Sequence, residues 1–166
     1  MKILFGISDS TLERYFQEFL DIVSPLAMDN FKSYFNNRKD NSNKVEFMYH
    51  SNHTFATMVV DGSEQQISIP SDKDIRNLLY SGKKCKSTLT LLVYCCPKSG
   101  KVLHIGFLAG GCKNDNNLFK KDREFIDSLD SVLETIVADK GFRGLKKVYN
   151  NTCVIEAGRK NTKYNK

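Results

Sequence analysis

The chain has 166 residues, a formal net charge of +6 and 40% hydrophobic residues. This length and apolar content predict one globular domain with a core of its own. No apolar run approaches the roughly 18 residues of a membrane span, and charge follows Met1 too soon for a signal peptide, so we expect a soluble, intracellular protein.

The first predicted element is a helix near the N-terminus. Residues 10–13 have the spacing of a capping box, and apolar residues then recur at helical intervals as far as Val23. We therefore predict a helix from about Thr11 to Val23 that ends before Pro25 and packs on the core. Residues 36–44 contain no apolar side chain, which predicts an exposed linker or loop.

The following segments favour strands. The apolar run at residues 55–60 stops at Asp61-Gly62, which is typical of a strand that ends in a turn, and residues 66–69 are a candidate returning strand. Residues 88–96 and 102–108 predict a hairpin joined by a four-residue turn that begins at Pro97.

The hydrophobic period then changes to that of a helix. Residues 122–133 place Phe125, Ile126 and Leu129 on one helical face, together with Val132 and Leu133, and residues 135–138 predict a short buried strand. Strands followed by a helix and a further strand indicate a mixed α/β fold.

The cysteines form an odd set of five without a CxxC pair. Cys95 and Cys96 are adjacent within an apolar run, where neighbouring side chains of a strand point to opposite faces. We expect buried, reduced thiols rather than a disulfide framework or a zinc site.

The positive charge is concentrated at the C-terminal end. Residues 140–166 carry eight Lys or Arg and one acid, Glu156, so this segment holds +7 and the rest of the chain −1. Lys83, Lys84 and Lys86 form a second, smaller cluster. Both clusters suit a polyanion such as DNA, and both are equally compatible with a solvated lysine-rich surface.

Two carboxylates follow predicted strands that lie far apart in the sequence. Asp61 follows the strand at residues 55–60, and Asp139 follows the strand at residues 135–138. If the two strands are neighbours in one sheet, both acids project at the same edge, where they could share a divalent cation used in phosphodiester chemistry. The alternative is structural, because Asp-Gly after a strand is a common turn signal.

Five short motifs between Val59 and Phe142 occur in an order that resembles a known family. They are Val60-Asp61-Gly62-Ser63-Glu64, Ile69-Pro70, Tyr80-Ser81-Gly82-Lys83-Lys84, Gly110-Gly111 leading to Asp115, and Ile136-Val137-Ala138-Asp139-Lys140-Gly141-Phe142. Each motif is weak alone, but the ordered set resembles the catalytic domain of DDE transposases of the Harbinger-like and insertion-sequence types.

This resemblance implies an RNase H-like fold, a mixed sheet flanked by helices and preceded by an N-terminal helical segment. It implies a DNA endonuclease in which Asp61 and Asp139 are catalytic and bind Mg²⁺ or Mn²⁺. Asp115 is a further candidate metal ligand, although a helix cap is the interpretation that we favour for it. Glu64 is similar to a family acid or is an ordinary strand residue. The resemblance assigns DNA contacts to Lys83, Lys84 and Lys86.

The resemblance also divides the chain into three parts. Residues 1–35 would be a helical segment, a remnant of a helix-turn-helix region in which residues 4–12 look like a turn and the start of a second helix; DNA reading by this segment is the less favoured alternative. Residues 36–50 would be a linker, and residues 51–166 an incomplete catalytic domain. DNA is the implied partner, together with a second copy or a DNA-binding protein, and the implied location is the nucleus or another intracellular compartment.

One family feature is missing from the sequence. The family carries a glutamate on a helix well after the Asp-Lys-Gly-Phe motif, and we expect Lys166 to fall short of that helix. Glu156 is the only acid after Asp139 and is a weak candidate for the role. The alternatives are therefore an active nuclease, a non-catalytic DNA- or protein-binding module derived from a transposase, and a plain α/β domain.

Overall fold

A computed structural model describes residues 8–40, 42–49, 52–130 and 133–142. The helices are α1 (Asp9–Asn36), α2 (Lys73–Leu79), α3 (Asp115–Lys121) and α4 (Arg123–Asp127), with short 3-10 segments at Asn37–Lys39 and Lys140–Phe142. The strands are β1 (Val45–Tyr49), β2 (Asn52–Ala56), β3 (Met58–Gln66), β4 (Tyr80–Ser81), β5 (Lys86–Cys95), β6 (Val102–Gly110) and β7 (Ile136–Ala138).

The main sheet is mixed and has five strands. β3 lies between β5, which is antiparallel to it, and β7, which is parallel to it, while β6 and the short β4 pair with β5 in antiparallel fashion. α3 and α4 form the connection from β6 to β7. This arrangement of an antiparallel meander followed by a parallel strand is the predicted RNase H-like α/β fold, and the predicted hairpin of β5 and β6 is confirmed. β1 and β2 form a separate antiparallel pair that the sequence did not predict.

The hydrophobic core lies between one face of this sheet and α3. Met58 and Leu92 are fully buried on the sheet, and Phe119 of α3 and Phe142 pack against each other with ring centroids 5.8 Å apart. Burial of large apolar side chains of this kind is the main stabilising contribution to such a fold. The packing fixes α3, and therefore its first residue, over β3.

The N-terminal helix differs from its prediction in length and in packing. α1 continues through Pro25 to Asn36. Phe16, Phe19 and Ile22 are exposed, and the residues that pack against the core are Tyr34 and Phe35 near the end of the helix. The prediction that residues 11–23 pack on the core is therefore wrong for the described chain.

A buried ion pair attaches the end of α1 to the segment before β7. The guanidinium of Arg38 is paired with the carboxylate of Glu134, and its Nη2 lies 3.0 Å from Glu134 Oε2. Arg38 also donates to the carbonyl oxygen of Phe35 at 2.7 Å. Both charged residues are buried, so the expectation of an exposed segment at residues 36–44 is wrong at Arg38.

Three other predicted boundaries change for local physical reasons. The run at residues 55–60 is divided at the buried Thr57, whose hydroxyl donates to Thr135 O and accepts from Thr135 N, both at 3.1 Å. No strand forms at residues 67–69, because β3 already extends to Gln66. The single helix predicted at residues 122–133 is the five-residue α4, and Leu133 is exposed.

The cysteines agree with the sequence-based expectation only in part. Cys85, Cys95, Cys96 and Cys112 are free thiols. Cys96 is buried, but Cys85 and Cys112 are exposed, so burial was wrongly expected for those two. Cys153 lies outside the described residues.

In the described part of the chain, no helix combines the length and the apolar character that crossing a membrane requires.

Candidate active site

Asp61 lies on β3, and Asp139 directly follows the neighbouring strand β7. Val60 of β3 pairs with Ala138 of β7 in a parallel register, so the two aspartates occupy the next step along each strand. Each carboxylate accepts a hydrogen bond from a nearby glycine N–H: Asp61 Oδ1 from Gly62 at 2.8 Å, and Asp139 Oδ1 from Gly141 at 2.6 Å. The sheet therefore brings together two acids that are 78 residues apart in sequence.

The Asp61-Gly62 pair is not a turn, because β3 runs straight through it to Gln66. Gly62 instead provides space for a third carboxylate. A Cβ atom added at Gly62 would lie 2.2 Å from Asp115 Oδ1 and 2.8 Å from Asp115 Cγ, both far inside van der Waals contact. The missing side chain at position 62 is thus what allows Asp115 to approach the strand.

Asp115 is the first residue of α3 and not its cap. The cap is Asn114, whose side-chain oxygen accepts from the Asn117 N–H at 2.9 Å, so the helix-cap interpretation of Asp115 is wrong. The carboxylate of Asp115 is therefore not engaged in capping, and it lies over Gly62 of β3.

The environment of Asp115 is half-buried and negatively charged. Burial raises the pKa of Asp115, and the negative charges of Asp61 and Asp139 raise it further, whereas Lys83 opposes them. A Cβ added at Gly141 would lie 2.9 Å from Asp139 Oδ1 and 3.8 Å from Asp115 Oδ2, so these two carboxylates face the same small space. We call Asp61, Asp115 and Asp139 the carboxylate cluster.

The basic residues singled out in the sequence lie on one tight turn beside this cluster. We call residues 81–86 the lysine turn; it carries Lys83, Lys84 and Lys86 and joins β4 to β5. The N–H of Cys85 donates to Ser81 O at 2.7 Å, and all three lysines are exposed. The ammonium of Lys86 donates to Gln66 Oε1 at 3.0 Å, which holds it at the end of β3.

Glu64 is more than a surface strand residue. The Thr88 hydroxyl donates to Glu64 Oε1 at 2.9 Å. A hydrogen bond from the buried hydroxyl of Ser81 lowers the pKa of Glu64, with further help from Thr88 and from the charges of Lys84 and Lys83. Glu64 therefore ties the lysine turn to β3, two residues beyond Gly62.

A polar cleft of about 240 Å³ lies between the lysine turn and the loop that precedes α3. We call it the side cleft. It is lined by Gly62, Glu64, Ser81, Lys83, Thr90, Gly111, Cys112, Lys113, Asn114 and Asp115. Asp115 belongs both to its wall and to the carboxylate cluster, so the cleft opens directly beside the acids.

The donor chemistry of the carboxylate cluster suits a hard divalent cation, because Mg²⁺ and Mn²⁺ prefer oxygen ligands and Mg²⁺ commonly takes only one or two protein carboxylates. In residues 8–40, 42–49, 52–130 and 133–142, however, no three Asp, Glu, His or Cys side chains are placed to hold one ion between them. The cluster is a set of mutually repelling carboxylates rather than a closed cage. Glu156, the candidate late acid, lies outside the described residues.

Comparison with known proteins gives one match. The family model described as DDE superfamily endonuclease matches residues 60–166, which include the whole carboxylate cluster. Neither the curated proteins nor the solved structures give a significant match.

Proposed function

This chain belongs to the DDE superfamily endonuclease family, and from that premise we propose that it is a metal-dependent, transposase-type endonuclease that cuts phosphodiester bonds in DNA. DNA cleavage and strand transfer during transposition are the corresponding reactions. The convergence of three acids from separate elements carries the proposal. Asp61 comes from β3, Asp115 from the start of α3 and Asp139 from the residue directly after β7.

The electrostatics of Asp115 support a cation as the missing partner of the cluster. A half-buried carboxylate beside two further carboxylates is unfavourable without compensation, and the positive charge of Lys83 only partly opposes the rise in the pKa of Asp115. Carboxylates with perturbed pKa values in a cleft are typical of functional sites.

In this proposal Asp61 and Asp139 bind Mg²⁺ or Mn²⁺ together with water, since Mg²⁺ commonly takes only one or two protein carboxylates, and Asp115 beside them is a further candidate ligand. When bound, the cation supplies Lewis-acid stabilisation of the charge that develops on the reacting phosphate. The N–H groups of Gly62 and Gly141 orient two of the carboxylates, and the absence of a side chain at Gly62 admits the third. The lysine turn binds backbone phosphates of the same DNA strand through its exposed ammonium groups.

The division of the chain and its assembly are also proposals. The family match begins at residue 60, which supports a catalytic domain at residues 51–166 preceded by a helical segment (1–35) and a linker (36–50). The pair of Arg38 and Glu134 would keep the linker attached to that domain. We further propose a nuclear location, and a second copy or a DNA-binding protein as partner, because a nuclease of this type acts on DNA ends.

Nicking of supercoiled plasmid in Mg²⁺ or Mn²⁺ tests the proposal. Asp61→Asn, Asp115→Asn and Asp139→Asn keep the size of each side chain and remove its charge, so each variant should lose nicking by at least about 100-fold. Asp74→Asn, at an exposed position on α2, is the matched control and should nick like the wild type. Equal nicking by wild type and the three cluster variants would reject the assigned site.

The same experiment separates the main alternative. If the wild type binds DNA in a salt-dependent way but does not nick it under any divalent condition, the chain is a DNA-binding module derived from a transposase.

A further inference from the structure

The wall of the side cleft contains a buried hydroxyl group that no described residue satisfies. Thr90 lies on β5 opposite Glu64, its side chain lines the cleft, and it is only 4% exposed. Its Oγ1 has no hydrogen-bond partner among the described residues. A buried hydroxyl without a partner costs about 1–3 kcal/mol, so its retention at a cleft wall indicates a ligand that supplies the bond.

The neighbouring hydroxyls are already engaged, which distinguishes Thr90 from them. The Thr88 hydroxyl donates to Glu64, and Ser81 Oγ accepts from the Lys84 N–H at 3.2 Å. Glu64 also receives a hydrogen bond from Ser81. The polar groups at this end of the cleft therefore satisfy one another, and Thr90 is the hydroxyl in the cleft wall that no described residue satisfies.

The charges on the cleft walls define the chemical class of the ligand. Lys83 on the lysine turn and Lys113 on the loop before α3 both line the cleft. An ammonium group can only donate hydrogen bonds, so the ligand has to accept them and favours a negative charge. A free cation is disfavoured between two lysines. The negative charge of Glu64 is compensated by its two hydroxyl donors and by Lys84, and Asp115 belongs to the carboxylate cluster.

We propose that the side cleft binds a phosphate group of the DNA backbone, adjacent to the phosphate that reacts at the carboxylate cluster, with the Thr90 hydroxyl, Lys83 and Lys113 as its donors. The inference rests on the proposed function, since it identifies the neighbouring phosphate of the same substrate. A volume of about 240 Å³ accommodates one phosphate and part of its sugar. Thr90 and the two lysines thereby set how the strand lies across the acids.

The test is an NMR titration of the ¹⁵N-labelled full chain, without divalent metal, with thymidine 5′-monophosphate, inorganic phosphate or thymidine. Both phosphate-containing probes should shift the amide signals of Thr90, Gly111 and Lys113 in a concentration-dependent manner, and thymidine should not. Thr90→Val, which replaces the hydroxyl by a methyl group of similar size, should weaken binding roughly tenfold. Thr90→Ser should restore most of the affinity.

Lysine variants supply the matched control. Lys83→Ala should weaken binding several-fold and reduce its dependence on salt, whereas Lys98→Ala, in the exposed turn at the other end of β5, should bind like the wild type. Thermal unfolding of each variant verifies that it is folded.

Two results would overturn the inference. One is unchanged phosphate binding by folded Thr90→Val and Lys83→Ala. The other is a shift of the same amides by Mg²⁺ alone without any effect of phosphate, which would make the cleft a cation site. Failure of the proposed function looks different: Asp61→Asn would then nick plasmid like the wild type, while the response of the cleft to phosphate would persist.

Discussion

Replacing Gly62 by alanine tests the carboxylate cluster with a single methyl group. The added Cβ would lie 2.2 Å from Asp115 Oδ1 and 3.2 Å from Asp115 Oδ2. Because non-bonded heavy atoms are normally separated by about 3.5 Å, the carboxylate has to retreat by roughly 1 Å. A displacement of about 1 Å at a catalytic group costs on the order of 100-fold in rate.

The same substitution should have little effect on stability. Alanine in place of a strand glycine gains about 0.5–1 kcal/mol through the lower backbone entropy of the unfolded chain. The atoms that Gly62→Ala displaces are the end of one flexible side chain, Asp115, rather than backbone. We therefore expect the free energy of unfolding to change by less than about 1 kcal/mol, while nicking falls by about 100-fold.

Plasmid nicking in Mn²⁺ and urea denaturation, measured on the same samples, separate these two effects. Gly82→Ala is the matched control, because a Cβ at Gly82 would meet no atom within 4 Å. If Gly62→Ala nicks as fast as Gly82→Ala and the wild type, the position of Asp115 is irrelevant to the chemistry. Loss of nicking together with loss of folding would equally refute the reasoning, since the clash would then not be local.

Three further predictions concern DNA affinity and stability. Neutralising the three lysines of the lysine turn should reduce the slope of log affinity against log salt concentration by about 0.9 for each DNA phosphate that the turn binds, as measured by fluorescence anisotropy with non-specific duplex DNA; an unchanged slope would remove the turn from the DNA interface. Arg38→Met should lower the free energy of unfolding by up to about 3–5 kcal/mol, because the buried Glu134 loses its buried partner and, among the described residues, keeps only the partly exposed Lys39 as a charged neighbour. The double variant Arg38→Met/Glu134→Leu should recover most of that loss in urea denaturation, and equal losses in both variants would contradict this. Burial raises the pKa of Asp122, so over a range of pH the folded chain keeps a proton on this carboxyl that the unfolded chain releases. The free energy of unfolding should therefore fall as the pH rises from the ordinary carboxyl pKa through the raised one. Asp122→Asn should remove this fall, and an identical pH profile in the variant would exclude Asp122 as its source.

The sequence predicted the topology well because its apolar strand segments are separated by clear turn residues. The hairpin of β5 and β6 follows from two apolar runs and a turn that contains Pro97 and Gly100. The short β7 is entirely apolar, as expected of a strand with a neighbour and a covered face. Residues 60–166 match the family model, which confirms the resemblance drawn from five short motifs.

The cluster was harder to predict because its decisive contact is not local. Asp61-Gly62 has the composition of a turn, although it lies within β3. The sequence does not show that the side chain of Asp115, at the start of α3, lies against Gly62 in the folded chain. Asp115 was interpreted as a cap because Asx residues often begin helices, yet Asn114 directly precedes it and takes that role, so Asp115 is the first residue of the helix. The sequence alone did not say which of two adjacent Asx residues is the cap.

The end of helix α1 was predicted wrongly because the effect of a proline on a helix was treated as decisive. Proline inside a helix loses one hydrogen bond and crowds the preceding turn, which predicts an end before Pro25. The 28-residue helix nevertheless continues, and its contacts with the core are made after the proline, by Tyr34 and Phe35. Packing of the C-terminal end of α1 on the core can thus outweigh the tendency of Pro25 to end the helix.

The two aspartates at the two ends of α3 occupy similar positions against the sheet but have different surroundings. Asp122 follows the helix, and its carboxylate, like that of Asp115, lies in the space left by the missing side chain of a glycine in the sheet. A Cβ at Gly106 would lie 1.8 Å from Asp122 Oδ2. Asp122 is satisfied there, since the Tyr94 hydroxyl donates to it at 2.9 Å and a hydrogen bond from the Phe107 N–H also lowers its pKa against the effect of burial. At Asp115 the neighbouring acids add to the effect of burial instead of opposing it. The same packing device therefore anchors one end of α3 by a satisfied carboxylate and, at the other end, holds a carboxylate whose charged form is disfavoured by burial and by its acidic neighbours, which is the feature on which the proposed metal site rests.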